Sequence, residues 1–212
     1  MSIASLLMAV LQSELLIETR TVLSLCDYSG NWSQPYRDTG YEVVQVDLKR
    51  GQDVRTLKHL GSSVHGILAA PPCTHFASSG ARWWKDKDKK PEILLEALAT
   101  VDACLRAVAI YNPVWWVLEN PVGRLKDFIG AYTESFDPYE YAGYLDPSEQ
   151  DAEQYTKNTC LWGRFTMPPK KPLEPIHGSK MWSQYGGKSE RTKTMRSMTP
   201  KGFSKAFHQY NQ

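Results

Sequence analysis

No apolar run in the chain approaches the ~18 residues needed to cross a bilayer as a helix, so no membrane-spanning segment is expected. The four cysteines, Cys26, Cys73, Cys104 and Cys160, include no Cys-x-x-Cys pair. Neither a zinc knuckle nor a disulfide framework is therefore indicated, and free thiols in a reducing cytoplasm fit best. Gly-x-Gly-x-x-Gly is missing, and so is any internal repeat. The apolar residues at 3–11 have no Lys or Arg before them and no Ala-x-Ala-like cleavage site after them, which argues against a signal peptide. Ile3, Leu6, Leu7, Val10, Leu11 and Leu15 recur instead at helical spacing and predict a packed amphipathic helix. Hydrophobic residues are 42% and charged residues 23%, which excludes a wholly disordered chain, a collagen and a coiled-coil rod. At 212 residues, one domain and a monomer are expected.

Net charge is only +2, but it is unevenly placed. Residues 164–212 hold ten Lys/Arg against two acids, whereas the preceding 163 hold fifteen against twenty-one. A basic end on an acidic body fits a polyanionic partner, and equally a solvated tail.

Residues 21–26 (TVLSLC) form a short apolar run that enters a turn at Asp27-Tyr28-Ser29-Gly30. A short helix at about 33–39 and a strand at 41–46 (YEVVQV), closed by Asp47, follow. A third strand at 65–70 (HGILAA) is broken by Pro71-Pro72, and a polar stretch rich in Trp and Lys comes next. Residues 91–111 form the clearest helix, begun by Pro91 and Glu92, with an apolar face of Leu94, Leu95, Leu98, Val101, Leu105 and Val108. After Pro113 a strand is expected at 114–118, another at 159–165 and a terminal helix at 203–210. Residues 167–197, rich in Pro, Gly and Lys, are expected to be irregular. Strands alternating with helices predict an α/β fold: a mostly parallel sheet with helices on both faces.

Ligands of such sheets bind beyond the carboxyl ends of the strands, where the unusual residues of this chain fall. An acid closing the second strand, Asp47, is placed to bind ribose hydroxyls, while Gly30 alone makes a weak phosphate cradle. A cofactor with ribose but no pyrophosphate is therefore expected. Cys73 sits on a stiff spur after two prolines, where it is either a nucleophile or an inert half-buried thiol. Cys73-x-His75 has no second ligand pair nearby, so no metal is expected. Glu119, leaving an apolar Trp-rich strand ahead of Asn120-Pro121, is placed to be partly desolvated and to act as a general acid.

A strand ending in Pro-Pro-Cys, followed by a strand ending in Glu-Asn, resembles the paired signature of the cytosine carbon-5 DNA methyltransferases. The similarity runs from Thr21 to Phe207, and the chain looks like a small, phage-type member. The resemblance implies a Rossmann-like, S-adenosylmethionine-dependent methyltransferase fold with Cys73 and Glu119 catalytic. It implies that Asp27, Tyr28, Ser29, Gly30, Asp47, Leu48, Asp53, Val54 and Pro71 hold S-adenosylmethionine. Lys157 and Thr159 sit where the family supports the target base. Arg196-Ser197-Met198-Thr199-Pro200 resembles the final motif, which packs back beside the cofactor. Arg82, Trp83, Trp84 and Lys85, with Lys87, Lys89 and Lys90, mix rings with charge and are expected to contact DNA with the base flipped out of its stack.

The chain departs from the family's pattern in its first turn, where Phe-x-Gly-x-Gly is replaced, and most of all in size. Only about thirty residues, 166–195, stand where the family inserts a target-recognition domain. The expected division is a catalytic domain at 1–165, an irregular basic segment at 166–195 and a terminal motif with its helix at 196–212. Relaxed or short sequence preference on DNA is expected. The same chemistry on RNA, a nucleotide or an already modified base is an open alternative, as is a non-catalytic nucleic-acid-binding protein.

Overall fold

The computed structural model describes residues 19–180 and 189–212, so the helix expected within residues 3–15 lies outside the described residues. In chain order the elements are β1 (Thr21–Leu25), α1 (Gln34–Asp38), β2 (Glu42–Val46), β3 (Gly66–Ala69), α2 (Trp84–Asp88), α3 (Pro91–Tyr111) and β4 (Trp115–Pro121). They continue with α4 (Lys126–Ile129), β5 (Glu134–Phe136), α5 (Pro147–Gln150), β6 (Thr159–Arg164), α6 (Glu190–Ser197) and α7 (Lys201–Tyr210).

The six strands form one sheet in the order β2-β1-β3-β4-β6-β5. The pairings from β2 through β4 are parallel, and those of β6 with β4 and β5 are antiparallel. Every residue of β1 is buried, as a parallel strand covered on both faces requires. Strand alternation then divides the core. Leu23, Ile67 and Leu118 face α3, whose Val101, Cys104 and Ala107 pack against them. Val22, Leu68 and Val117 face the other way, toward Tyr36 of α1 and Phe203 and Phe207 of α7. Helices therefore cover both faces, and the architecture is the mostly parallel, Rossmann-like α/β arrangement expected.

Helix α3 has the expected bounds and stops at Asn112, whose φ of 40° is left-handed, with Pro113 just beyond. Leu95 departs from its expected stripe and is 64% exposed, because it sits about 100° around the helix from Leu94. Strand β3 carries Gly66 beneath Trp115, where a Cβ would come within 2.0 Å of the indole.

Among the elements that were not foreseen, β5 and α6 bear most on the core and the site. β5 is a three-residue edge strand whose Phe136 stacks on Phe203 of α7, with ring centroids 3.7 Å apart. Helix α6 occupies the end of a stretch expected to be irregular and crosses the expected boundary at residue 196. Its start is capped by Ser189, whose Oγ accepts the Thr192 N–H at 3.1 Å. Residues 167–179 contain neither helix nor strand, as expected, and β6 ends at Arg164, one residue short of its expected end. Helix α7 is anchored by the buried Glu153 carboxylate, which accepts the backbone N–H groups of Lys201 and Gly202. No described helix is long and apolar enough to cross a membrane.

The order β2-β1-β3 reverses the direction of winding between β1 and β3. In open parallel sheets that switch point opens a crevice at the carboxyl ends of the strands.

Candidate active site

The crevice is a cavity of about 610 Å³, within the range of small-molecule sites. The turns after β1, β2 and β3 form its walls, and Lys193, Arg196 and Ser197 of α6 contribute a further side. A second hollow of about 840 Å³ opens at the opposite end of the sheet, between Arg20, Tyr41 and His65, and holds none of the expected site residues.

The turn after β1 is organised by Asp27. Its carboxylate accepts the Gly30 N–H at 2.9 Å and the hydroxyls of Ser24, Ser29 and Ser33 at 3.0, 3.1 and 3.2 Å. The carboxylate is thus engaged inside the turn, and Asp27 lines the cavity together with Tyr28 and Ser29. Gly30, with φ of 73°, is not a wall residue; its conformation serves the turn. Cys26 also adopts a left-handed conformation, with φ of 58°, and lies in the wall.

Asp47 differs. Its Oδ1 caps the turn at Leu48–Arg50 by accepting the Lys49 N–H at 2.8 Å, while Oδ2 takes no hydrogen bond from a described residue. Leu48 beside it is 60% exposed. Asp53 is clasped by Arg55, whose guanidinium reaches both carboxylate oxygens at 2.7–3.0 Å, and those bonds hold its carboxyl below the usual range. Asp53 therefore reaches the cavity as a neutralised pair, with the apolar Val54 next to it.

On the other side of the switch point, the Cys73 carbonyl accepts the N–H groups of Phe76 and Ala77, both at 2.9 Å, which turns the chain back over the cavity. Cys73 is half-buried and in the wall. Pro71 is buried outside the wall, and its carbonyl accepts Nδ2 of Asn120 at 2.9 Å. Glu119 is still inside β4, opposite Leu161, and is also buried away from the wall. Burial pushes its carboxyl up and Lys157 partly offsets this. Burial likewise pushes the Cys73 thiol up, reinforced by the charge of Glu119 and opposed by Lys157 and Arg196. Cys73, Glu119 and Lys157 therefore share one electrostatic neighbourhood. Thr159 is buried outside the wall, and its hydroxyl donates to the Lys157 carbonyl at 3.0 Å.

The Trp/Lys stretch folds as a 3-10 turn at Ser78–Trp83 continued by α2. Trp83 and Lys87, one turn apart, face the cavity. Trp83 is 54% exposed, with the Arg82 guanidinium 5.4 Å from its ring centre. Trp84 points elsewhere, beneath Arg124. That arginine bonds Asp88 at 2.7 Å and the His75 carbonyl at 2.8 Å. Of the seven residues of this stretch expected to meet nucleic acid, Trp83 and Lys87 are in the wall; Arg82, Trp84, Lys85, Lys89 and Lys90 are not. Arg196, whose Nη2 reaches Ser79 Oγ at 3.4 Å, was expected only as part of a closing motif, and its approach to Cys73 depends on the unforeseen α6. Among the described residues no three His, Cys, Asp or Glu side chains group as a metal site.

The chain matches no protein-family model and no curated protein. Its fold is similar to a solved structure from E. coli described, provisionally, as a DNA modification methyltransferase encoded within a prophage. The TM-score is 0.41 at 16% identity, over 73% of this chain and 53% of that one, so this chain spans about half the length of that structure.

Proposed function

We propose that the protein is an S-adenosylmethionine-dependent methyltransferase acting on carbon 5 of cytosine in DNA. The observation that carries this reading is the meeting of Cys73 and Glu119 at the carboxyl ends of the adjacent strands β3 and β4, with Lys157 acting on both.

Carbon 5 of cytosine is a weak nucleophile. In this reading the Cys73 thiolate adds to carbon 6 while the protonated Glu119 holds ring nitrogen 3, which makes carbon 5 electron-rich. Loss of the carbon-5 proton later expels the thiolate and restores the ring. A carboxyl whose protonated form is favoured by burial is suited to the Glu119 role, and Lys157 limits the cost of its ionised form. A base within a duplex cannot reach Cys73, so it must be flipped at a cost of about a few kcal/mol. Trp83, exposed at the cavity rim with Arg82 over its ring, offers a stacking surface for it.

The opposite wall fits S-adenosylmethionine. Asp47 has a carboxylate oxygen available for ribose hydroxyls, Leu48 and Val54 supply apolar surface for a purine, and the pinned turn at Asp27–Ser29 lies across from them. Bound there, the cofactor supplies an electrophilic methyl group.

Incubating DNA with the protein and S-adenosylmethionine, then analysing nucleosides by mass spectrometry, tests the reading. A 5-methylcytosine peak that Cys73→Ala abolishes is expected. No new nucleoside from DNA, with a product from RNA, a free nucleotide or a pre-modified base, moves the acceptor and keeps the chemistry. No product from any of these overturns the enzyme reading.

A further inference from the structure

Helix α6 bridges two walls of the cavity. On one side Lys49, from the turn after β2, donates Nζ to Thr194 Oγ1 at 3.2 Å. On the other, Arg196 donates to Oγ of Ser79, six residues beyond Cys73. Just past the helix, the Met198 carbonyl takes Nζ of Lys157 at 3.4 Å. These contacts set the guanidinium of Arg196 over the turn that carries Cys73, and both residues line the same cavity.

We propose that Arg196 is a positioning residue for the nucleophile: held by Ser79, its guanidinium stabilises the Cys73 thiolate, so that Cys73 is competent only while α6 is seated across the cavity. The proposal rests on the reading of Cys73 as the nucleophile. Among the described residues, four charged groups act on that thiol: Glu119 from β4, Lys157 ahead of β6, Lys87 from α2 and Arg196 from α6. Glu119 and burial oppose ionisation. Lys157 acts on Glu119 as well as on Cys73, so its charge favours both ionised forms. Lys87 is half-committed to the Thr74 carbonyl at 2.7 Å, and burial lowers its own tendency to carry charge. Arg196 acts on the thiol, whereas the cation that acts on Glu119 is Lys157. Among the described cations it is therefore the one suited to favour the thiolate without also favouring the ionised acid, the combination the chemistry needs. A guanidinium keeps its charge at any working pH. The thiol proton goes to solvent, and no other group changes.

The test reads Cys73 ionisation without cofactor or DNA. The full chain is alkylated with iodoacetamide across a pH series, sulfur displacing iodide, and the Cys73 peptide is followed by mass spectrometry. In Arg196→Gln the midpoint should move to higher pH and the rate near pH 8 should fall about three- to tenfold, with the high-pH plateau kept. Arg196→Lys should recover most of the loss, which a merely structural role of the side chain would not produce. Superimposed profiles for wild type and Arg196→Gln overturn the proposal. If Arg196→Gln does not fold, Ser79→Ala carries the same test: a smaller shift in the same direction supports it, and an unchanged profile overturns it. A shift in a protein that methylates nothing leaves this electrostatic assignment standing and refutes the proposed reaction instead.

Discussion

Nδ2 of Asn120 donates to the Pro71 carbonyl at 2.9 Å, tying the end of β4 to the turn that carries Cys73. The backbone register that pairs Ala69 with Leu118 is thereby continued by a side chain past the point where β3 stops. Glu119, between Leu118 and Asn120, cannot drift from Cys73 while that bond holds. Asn120→Ala should destabilise the protein by about 1–3 kcal/mol, since a buried carbonyl loses its donor. Turnover should fall further than stability explains. Urea denaturation and kcat on the same preparation check this, and full activity would break the link between that bond and the site.

The two titrating groups set a pH profile whose sign follows from their environments. Burial raises both Glu119 and Cys73, and the proposed active form needs the carboxyl protonated and the thiol ionised. That form belongs to the singly protonated pair. The rate should therefore rise as pH passes the carboxyl's raised pKa and fall as it passes the thiol's, giving a bell. Glu119→Gln removes the requirement for a retained proton. Its much slower rate should climb with pH and show no alkaline fall. A pH series of kcat/KM for both proteins decides it.

Gly123 stands where the Cys73 turn crosses the exit of β4. A Cβ there would lie 1.9 Å from the Phe76 carbonyl oxygen, inside a crossing closed by Ser78 N–H to Val122 O at 2.9 Å and Arg124 N–H to Phe76 O at 2.8 Å. Gly123→Ala should cost about 1–3 kcal/mol by overpacking and should displace residues 76–78. Lost turnover together with a lowered Tm is the expected result, and an unchanged Tm would contradict the crowding.

The two strand-end aspartates should separate by readout. Asp47→Ala should weaken S-adenosylmethionine binding about 10- to 100-fold, the worth of a charged hydrogen bond, with Tm lowered only by the loss of the one cap it gives the Lys49 N–H. Asp27→Ala leaves the buried hydroxyls of Ser24 and Ser33, the Ser29 hydroxyl and the Gly30 N–H without their acceptor, so Tm should fall much further. Calorimetric titration alongside thermal melting checks both, and equal effects on Tm would undo the distinction.

Much of this architecture is legible one element at a time. Pro91 with Glu92 at one end and Pro113 past the other set the long helix within one chain segment. The apolar runs ending at Asp27, Asp47, Pro71 and Glu119 were enough to place the candidate site residues at strand ends. Other features are invisible at that level. Asp27 and Asp47 look alike as acids closing strands, yet one is consumed by serines from the strand before it and the turn after it, while the other keeps an oxygen toward the cavity. Trp83 and Trp84 are neighbours in composition and opposites in direction, because a single helical turn sends one to the cavity and the other to Arg124.

By itself the sequence determined the parallel core, the long helix and the order in which Cys73 and Glu119 leave their strands, because periodicity, caps and prolines act within a few residues. Only the tertiary structure decided which side chains meet. Lys157 reaches the neighbourhood of Cys73 through the antiparallel return of β6, and Arg196 through a helix seated by Lys49 and Ser79. Those contacts join residues from about 80 to 145 positions apart, where no local preference acts and only packing and charge across the assembled sheet can choose.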